Sequence, residues 1–297
     1  MTSRKKLFSE YIPIIAMACI LLLVQVLAIT LAIPMEIGEM QAFEDPESAA
    51  NPLYYIVLIL VFTGIILLAI RKNMQWIIQA IILLAVMSTL YFVTYVILSM
   101  TAIAPTTGLI ISAAVALSLT GLLYAFPEWY VIDIVGLVIG AGASAIFGIS
   151  LAIIPVMILL VILAVYDAIS VYRTKHMLNL ADGAIDMKLP IMFVIPKRLN
   201  YSFRNETAET RKSDEVFFMG LGDAVIPTIL VVSAYIFVDH PGIPYPVIGA
   251  MIGTVVGYLV LTVLVMKGKP QAGLPFLNTG VIAGYILGSL IAGTPIL

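Results

Sequence analysis

The sequence predicts an all-α polytopic membrane protein with nine transmembrane helices, a cytoplasmic N-terminus and an external C-terminus. Three observations lead there. Hydrophobic residues make up 62% of the 297 positions and charged residues only 11%, against about 25% charged in soluble domains. The apolar residues gather into runs of roughly 18 to 23, long enough as helices to cross a hydrocarbon core of about 30 Å and too long for barrel strands. All fifteen Lys and Arg fall in alternate connections between those runs, as expected when basic residues are retained on the cytoplasmic side.

The first run, residues 12–33, follows Arg4, Lys5 and Lys6. Its apolar stretch exceeds the usual signal-peptide core of about 7 to 15 residues, so it reads as a retained helix. The connection after it holds Glu36, Glu39, Glu44, Asp45 and Glu47 and no basic residue, which makes it external. Runs at 53–70 and 74–98 flank the cytoplasmic Arg71 and Lys72, and runs at 106–126 and 130–148 follow. Between the fifth run and the sixth, 151–172, the only break is Gly148-Ile149-Ser150 ahead of Pro155, so one long buried hairpin is an alternative there. The last three runs are 216–238, 246–266 and 274–293, with Asp239 and His240 in an external connection and Lys267 and Lys269 in a cytoplasmic one.

One connection is long. The chain divides into a six-helix part (1–172), a cytoplasmic loop (173–215) and a three-helix part (216–297). The loop holds more than half of the basic residues, yet contains Leu189-Pro190-Ile191-Met192-Phe193-Val194-Ile195-Pro196. β-Prone residues between prolines predict a short exposed strand, with interfacial backbone against lipid as the alternative. Asn200-Tyr201-Ser202 and Asn205-Glu206-Thr207 match glycosylation sequons, but on the cytoplasmic side they are chance matches. Gly249, Gly253 and Gly257 in the eighth helix, and Gly280, Gly284 and Gly288 in the ninth, recur every four residues. That spacing puts each set on one face, where backbones approach closely.

Several classes are excluded. A net charge of −2, with basic residues scattered along one membrane face, gives no nucleic-acid surface. The single cysteine, Cys19, forms no intrachain disulfide. No metal or cofactor is expected: His176 and His240 lie in connections on opposite faces without a His-Glu-x-x-His motif. Ser144 has no helical histidine to activate it.

The chemistry rests on two aspartates. Asp167 lies five residues inside the cytoplasmic end of the sixth run and Asp223 seven inside that of the seventh, depths of roughly 8 and 10 Å at about 1.5 Å per residue. A lone carboxylate there costs on the order of 3 kcal/mol, so a matched pair needs a reason. Consecutive helices are neighbours by default, which lets the two acids face each other. Two carboxylates a few ångströms apart do not both ionise and share one proton. The ionised one takes a proton from water while the other donates to a scissile carbonyl. Gly220 and Gly222 beside Asp223 leave room for a substrate backbone. A proton- or cation-coupled transporter with the aspartates as its ion site is the rival reading. Asp133, near the cytoplasmic start of the fifth helix, is a third acid whose simplest reading is hydration at a helix end.

Tyr166-Asp167, Gly220-Leu221-Gly222-Asp223 and Leu274-Pro275 at the start of the last helix together resemble the Tyr-Asp, Gly-x-Gly-Asp and Pro-Ala-Leu signatures of the presenilin and signal peptide peptidase intramembrane aspartyl proteases. The likeness extends over the nine-helix plan and is strongest to prokaryotic, archaeal presenilin homologues. One segment departs: Pro-Ala-Leu becomes Ala272-Gly273-Leu274-Pro275, with the first proline absent or displaced to Pro270. The local Ala224-Val225-Ile226-Pro227 looks closer to the peptidase branch, whereas a cytoplasmic N-terminus matches the presenilins. The resemblance implies an aspartic endopeptidase of the cell membrane that cuts transmembrane proteins or peptides within the lipid bilayer, with a homo-oligomer left open. It further implies Asp167 and Asp223 as catalytic, supported by Tyr166, Gly220, Leu221, Gly222, Gly273, Leu274 and Pro275, and self-cleavage within 173–215.

Overall fold

The computed structural model describes residues 3–72, 74–174, 191–198, 201–204, 216–239, 242–267 and 271–296. Among the described residues, each of the nine apolar runs contains a helix: α1 (Ser3–Ile37), α2 (Asn51–Arg71), α3 (Gln75–Ser99), α4 (Pro105–Ala125), α5 (Trp129–Ser150), α6 (Ile153–Ile169), α7 (Leu221–Phe237), α8 (Tyr245–Val265) and α9 (Leu274–Ala292). Among the described residues, seven helical stretches are long and apolar enough to cross a membrane, and Asn51–Ile66 and Leu221–Phe237 are shorter apolar ones. His176, Leu189, Pro190, Asn200, Asn205, His240, Lys269 and Pro270 lie outside the described residues.

The helices at the centre are those with small residues. α5 packs against α1, α3 and α7 because its glycines admit them: a Cβ on Gly142 would collide with Val93 of α3, and one on Gly148 with Val232 of α7. α1 lays a buried stripe of Leu21, Val24, Ala28, Leu31 and Met35 into the same centre, at the three- and four-residue spacing of one helix face. Large side chains such as Leu60 and Phe62 of α2 and Leu290 and Ile291 of α9 stay exposed, as expected of faces turned to lipid, where apolar surface needs no burial. Leu151 and Ala152, both extended, separate α5 from α6. The Ala152 N–H donates to the Pro46 carbonyl at 2.9 Å, which ties the turn to the connection after α1.

α8 and α9 form an antiparallel pair joined at the expected glycines. A Cβ on Gly253 would strike the Gly280 carbonyl oxygen, and one on Gly284 the Gly249 carbonyl oxygen. The backbones are therefore in direct contact, and α9 is held rigidly beside α8. Gly293 ends α9 at φ 68°, the left-handed conformation that glycine adopts without a Cβ penalty.

Two expectations need correction. The strand over 192–196 exists, β1 (Met192–Pro196), but it is buried along its whole length and pairs antiparallel with β2 (Val216–Gly220). β2 takes the first five residues of the seventh apolar run, so α7 begins at Leu221 and Asp223 sits in its first turn. The run 216–238 shows no change in hydrophobicity where strand becomes helix. Only Gly220, at φ −58° and ψ 138°, marks the break, because apolar β-prone residues serve a buried strand and a spanning helix equally well.

Candidate active site

Asp167, on α6, is only 4% exposed, whereas Asp223 is half-buried in the first turn of α7. α6 packs against both α7 and α9, and the start of α9 comes to the two acids. The Leu274 N–H donates to Asp167 Oδ2 at 3.1 Å. Gly273, the preceding residue, lies flat against the other acid: a Cβ there would stand 2.8 Å from both carboxylate oxygens of Asp223. No real side chain tolerates that distance, so a glycine is what allows this approach. The two carboxyl groups thus converge on one dipeptide from two helices, within electrostatic reach of each other.

The remaining candidates divide. The Gly220 backbone hydrogen-bonds Asp223, and a Cβ on Gly220 would meet Asp223 Oδ2 at 3.4 Å. Leu221 turns away: its side chain packs on Gly136 and Gly140 of α5, and its N–H donates to Ile191 at 2.9 Å. Gly222 is exposed, with Ile226 rather than an acid near its Cβ direction. Leu274 is buried in the core between α6, α7 and α9. Pro275 opens the first turn of α9, where its missing N–H removes no helical bond. Tyr166 is partly buried beside Asp167.

Two residues contribute what the sequence did not disclose. Asn278, 1% exposed, donates from Nδ2 to the Leu160 carbonyl at 2.8 Å and so bolts α9 to α6 one turn from Leu274. Asp133 is a correction: it is buried, and its Oδ1 accepts the Val194 N–H at 2.7 Å. It holds β1 on α5 and is not hydrated at a helix end. Ser144 is likewise structural, donating to the Gly140 carbonyl at 2.7 Å. Among the described residues no three His, Cys, Asp or Glu side chains gather as metal ligands.

A pair of carboxyl groups on facing helices, one covered and one open on one side, with backbone polar groups beside both, suits acid–base hydrolysis of a peptide bond. Comparison with known proteins points the same way. The family profile of signal-peptide peptidase, presenilin aspartyl protease, matches residues 18–294. Two solved structures, both of a presenilin family intramembrane aspartate protease, one in a C222 and one in a P2 space group, are similar at TM-scores of 0.73 and 0.72. Each is 40% identical to this chain, with 95% of this chain and 100% of that one covered. No curated protein matches the chain.

Proposed function

The chain belongs to the signal-peptide peptidase and presenilin family of aspartyl proteases, and from that premise we propose that Asp167 and Asp223 are its catalytic dyad. The protein is an intramembrane aspartyl protease, a hydrolase embedded as a multi-pass membrane protein and acting on transmembrane substrates. The transporter reading has no support in the family or in the solved structures. The observation that favours this dyad is the convergence of both carboxyl groups on Gly273–Leu274.

In the proposed mechanism the pair holds one proton. The ionised aspartate removes a proton from water as its oxygen attacks the scissile carbonyl carbon, and the protonated aspartate gives its proton to the carbonyl oxygen. Collapse of the tetrahedral intermediate breaks the C–N bond: the aspartate that took the water's proton gives it to the leaving nitrogen, and one hydroxyl of the intermediate returns its proton to the other aspartate, so the dyad again holds one proton. The exposed Gly220 and Gly222 leave the open side of Asp223 free for an extended substrate backbone.

An extended segment needs partners for the hydrogen bonds that its helix gave up, and edge pairing supplies them. Two segments, 189–196 and 270–275, are candidates for pairing with an extended substrate, and the first is disfavoured: β2 occupies one edge of β1, Asp133 takes the Val194 N–H on the other, and Pro196 has none to offer. The remaining choices are residues 271–275 and β2, which is partly exposed and leads directly into Asp223.

We further assign nine spans with the N-terminus cytoplasmic, in the cell membrane, since every Lys and Arg falls on one side of that arrangement. The parts 1–172 and 216–297 then each bring one aspartate, joined through the cytoplasmic loop.

The test is incubation of the purified protein with a single-pass transmembrane substrate. Asp167→Asn and Asp223→Asn, folded as judged by thermal unfolding, are each expected to lose cleavage by at least about 1,000-fold, as when a member of a concerted catalytic group is removed. Cleavage surviving in either variant would remove that residue from the dyad.

A further inference from the structure

α6 does not end as a regular helix. After Ile169 it widens into a π-helical turn, Ser170–Thr174, which carries Tyr172. On a regular α-helix, Tyr172 and Asp167, five residues apart, would point about 140° apart. The π turn, which closes i to i+5 and turns less per residue, narrows that angle over its own residues, and such turns are frequent at functional sites. Tyr172 makes two contacts across to the segment before α9. The Tyr172 hydroxyl donates to Gln271 Oε1 at 2.8 Å and accepts the Ala272 N–H at 3.4 Å. The next two residues of that segment are Gly273, against Asp223, and Leu274, bonded to Asp167.

We propose that Tyr172 is a positioning residue: its hydroxyl latches Gln271 and Ala272 to the widened end of α6, and thereby fixes Gly273 and Leu274 against the two aspartates. The proposal rests on Asp167 and Asp223 being the dyad. Gln271 and Ala272 precede α9 and lie outside any helix, so an outside anchor is needed to hold them. Asn278 and the glycine contacts with α8 fix the helix that follows. Tyr172 fixes the segment before it. Nothing in this geometry requires the hydroxyl to touch substrate, since both of its bonds go to the protein's own chain. Neither the Tyr-Asp signature nor the Pro-Ala-Leu-like segment contains Tyr172 or Gln271. Tyr166, the tyrosine that the signature does contain, lies one residue from Asp167, while Tyr172 reaches the segment.

The experiment compares the full chain with Tyr172→Phe, Gln271→Leu and the double variant on a single-pass substrate, with Asp167→Asn as the inactive reference. Each single change is expected to lower kcat roughly 3- to 10-fold, the range for loss of one hydrogen bond. KM should stay within about twofold and the unfolding midpoint should not move. The double variant should be no worse than Tyr172→Phe alone, because that change already removes the bond that Gln271→Leu removes. Wild-type kcat in Tyr172→Phe, single losses that multiply in the double variant, or a raised KM at unchanged kcat would each overturn the latch. If Asp167→Asn still cleaves, the dyad assignment itself fails. If Asp167→Asn is inactive while Tyr172→Phe behaves as wild type, only the latch fails.

Discussion

Gly273 is the residue on which the two aspartates meet, and its missing side chain is a measurable requirement. The signature this segment resembles has alanine at the corresponding place, yet here a Cβ would fall 2.8 Å from both oxygens of Asp223. Gly273→Ala must therefore push the segment off Asp223 or turn the carboxyl aside. A misplacement of this order costs up to about 100-fold in rate; we expect kcat to fall about 10- to 100-fold with little change in the unfolding midpoint, and full activity would show that the segment has slack. Asp167 and Asp223 were legible in the sequence because an acid in an apolar run is costly and therefore conspicuous. Asp133 is equally conspicuous, but its role in holding β1 is not legible in the sequence. Depth along a helix says how costly a carboxylate is, but not that a strand's N–H 61 positions away relieves that cost. Asn278 gave no signal, since one polar residue at a small-residue interface looks like ordinary helix packing.

At the scale of elements, the α8–α9 seam depends on backbone contact. Gly284→Ala places a methyl group on the Gly249 carbonyl, and relief requires the helices to part along their length. Overpacking of this kind costs typically about 1–3 kcal/mol, so a fall in the unfolding midpoint is expected, with lower activity because α9 carries Leu274 and follows directly on Gly273. Gly121→Ala in α4, where nothing lies within 4 Å of the added carbon, is the control and should be neutral or slightly stabilising. An unchanged midpoint in Gly284→Ala would mean that the seam is looser than described. The four-residue glycine period made this contact readable in advance. The β1–β2 hairpin was only half readable: prolines framed β1, but β2 was hidden in a continuous apolar run, and pairing between residues as distant as Met192 and Gly220 leaves no local pattern.

For the whole molecule, orientation decides from which side the dyad is approached, and it can be tested independently of activity. With Cys19 replaced by Ala, a cysteine introduced at Ala49 is expected to react with a membrane-impermeant maleimide from outside intact cells. One at Arg204 should react only after the membrane is opened. Labelling of Arg204→Cys in sealed cells would reverse the assigned topology. By itself, the sequence determined the helical membrane architecture and the glycine seam, which follow from composition or from spacing along a single segment because lipid forces every apolar run to satisfy its own backbone. It pointed to the family through three short motifs taken together, and to the two acids as candidates through their cost in an apolar run. Only the tertiary structure decided that Asp223 opens a helix rather than lying within one, that Asp133 secures a strand, and that Tyr172 and Gln271 hold the segment touching both aspartates. Those are contacts between residues far apart in the chain, and hydrogen bonds across such separations depend on how the helices pack.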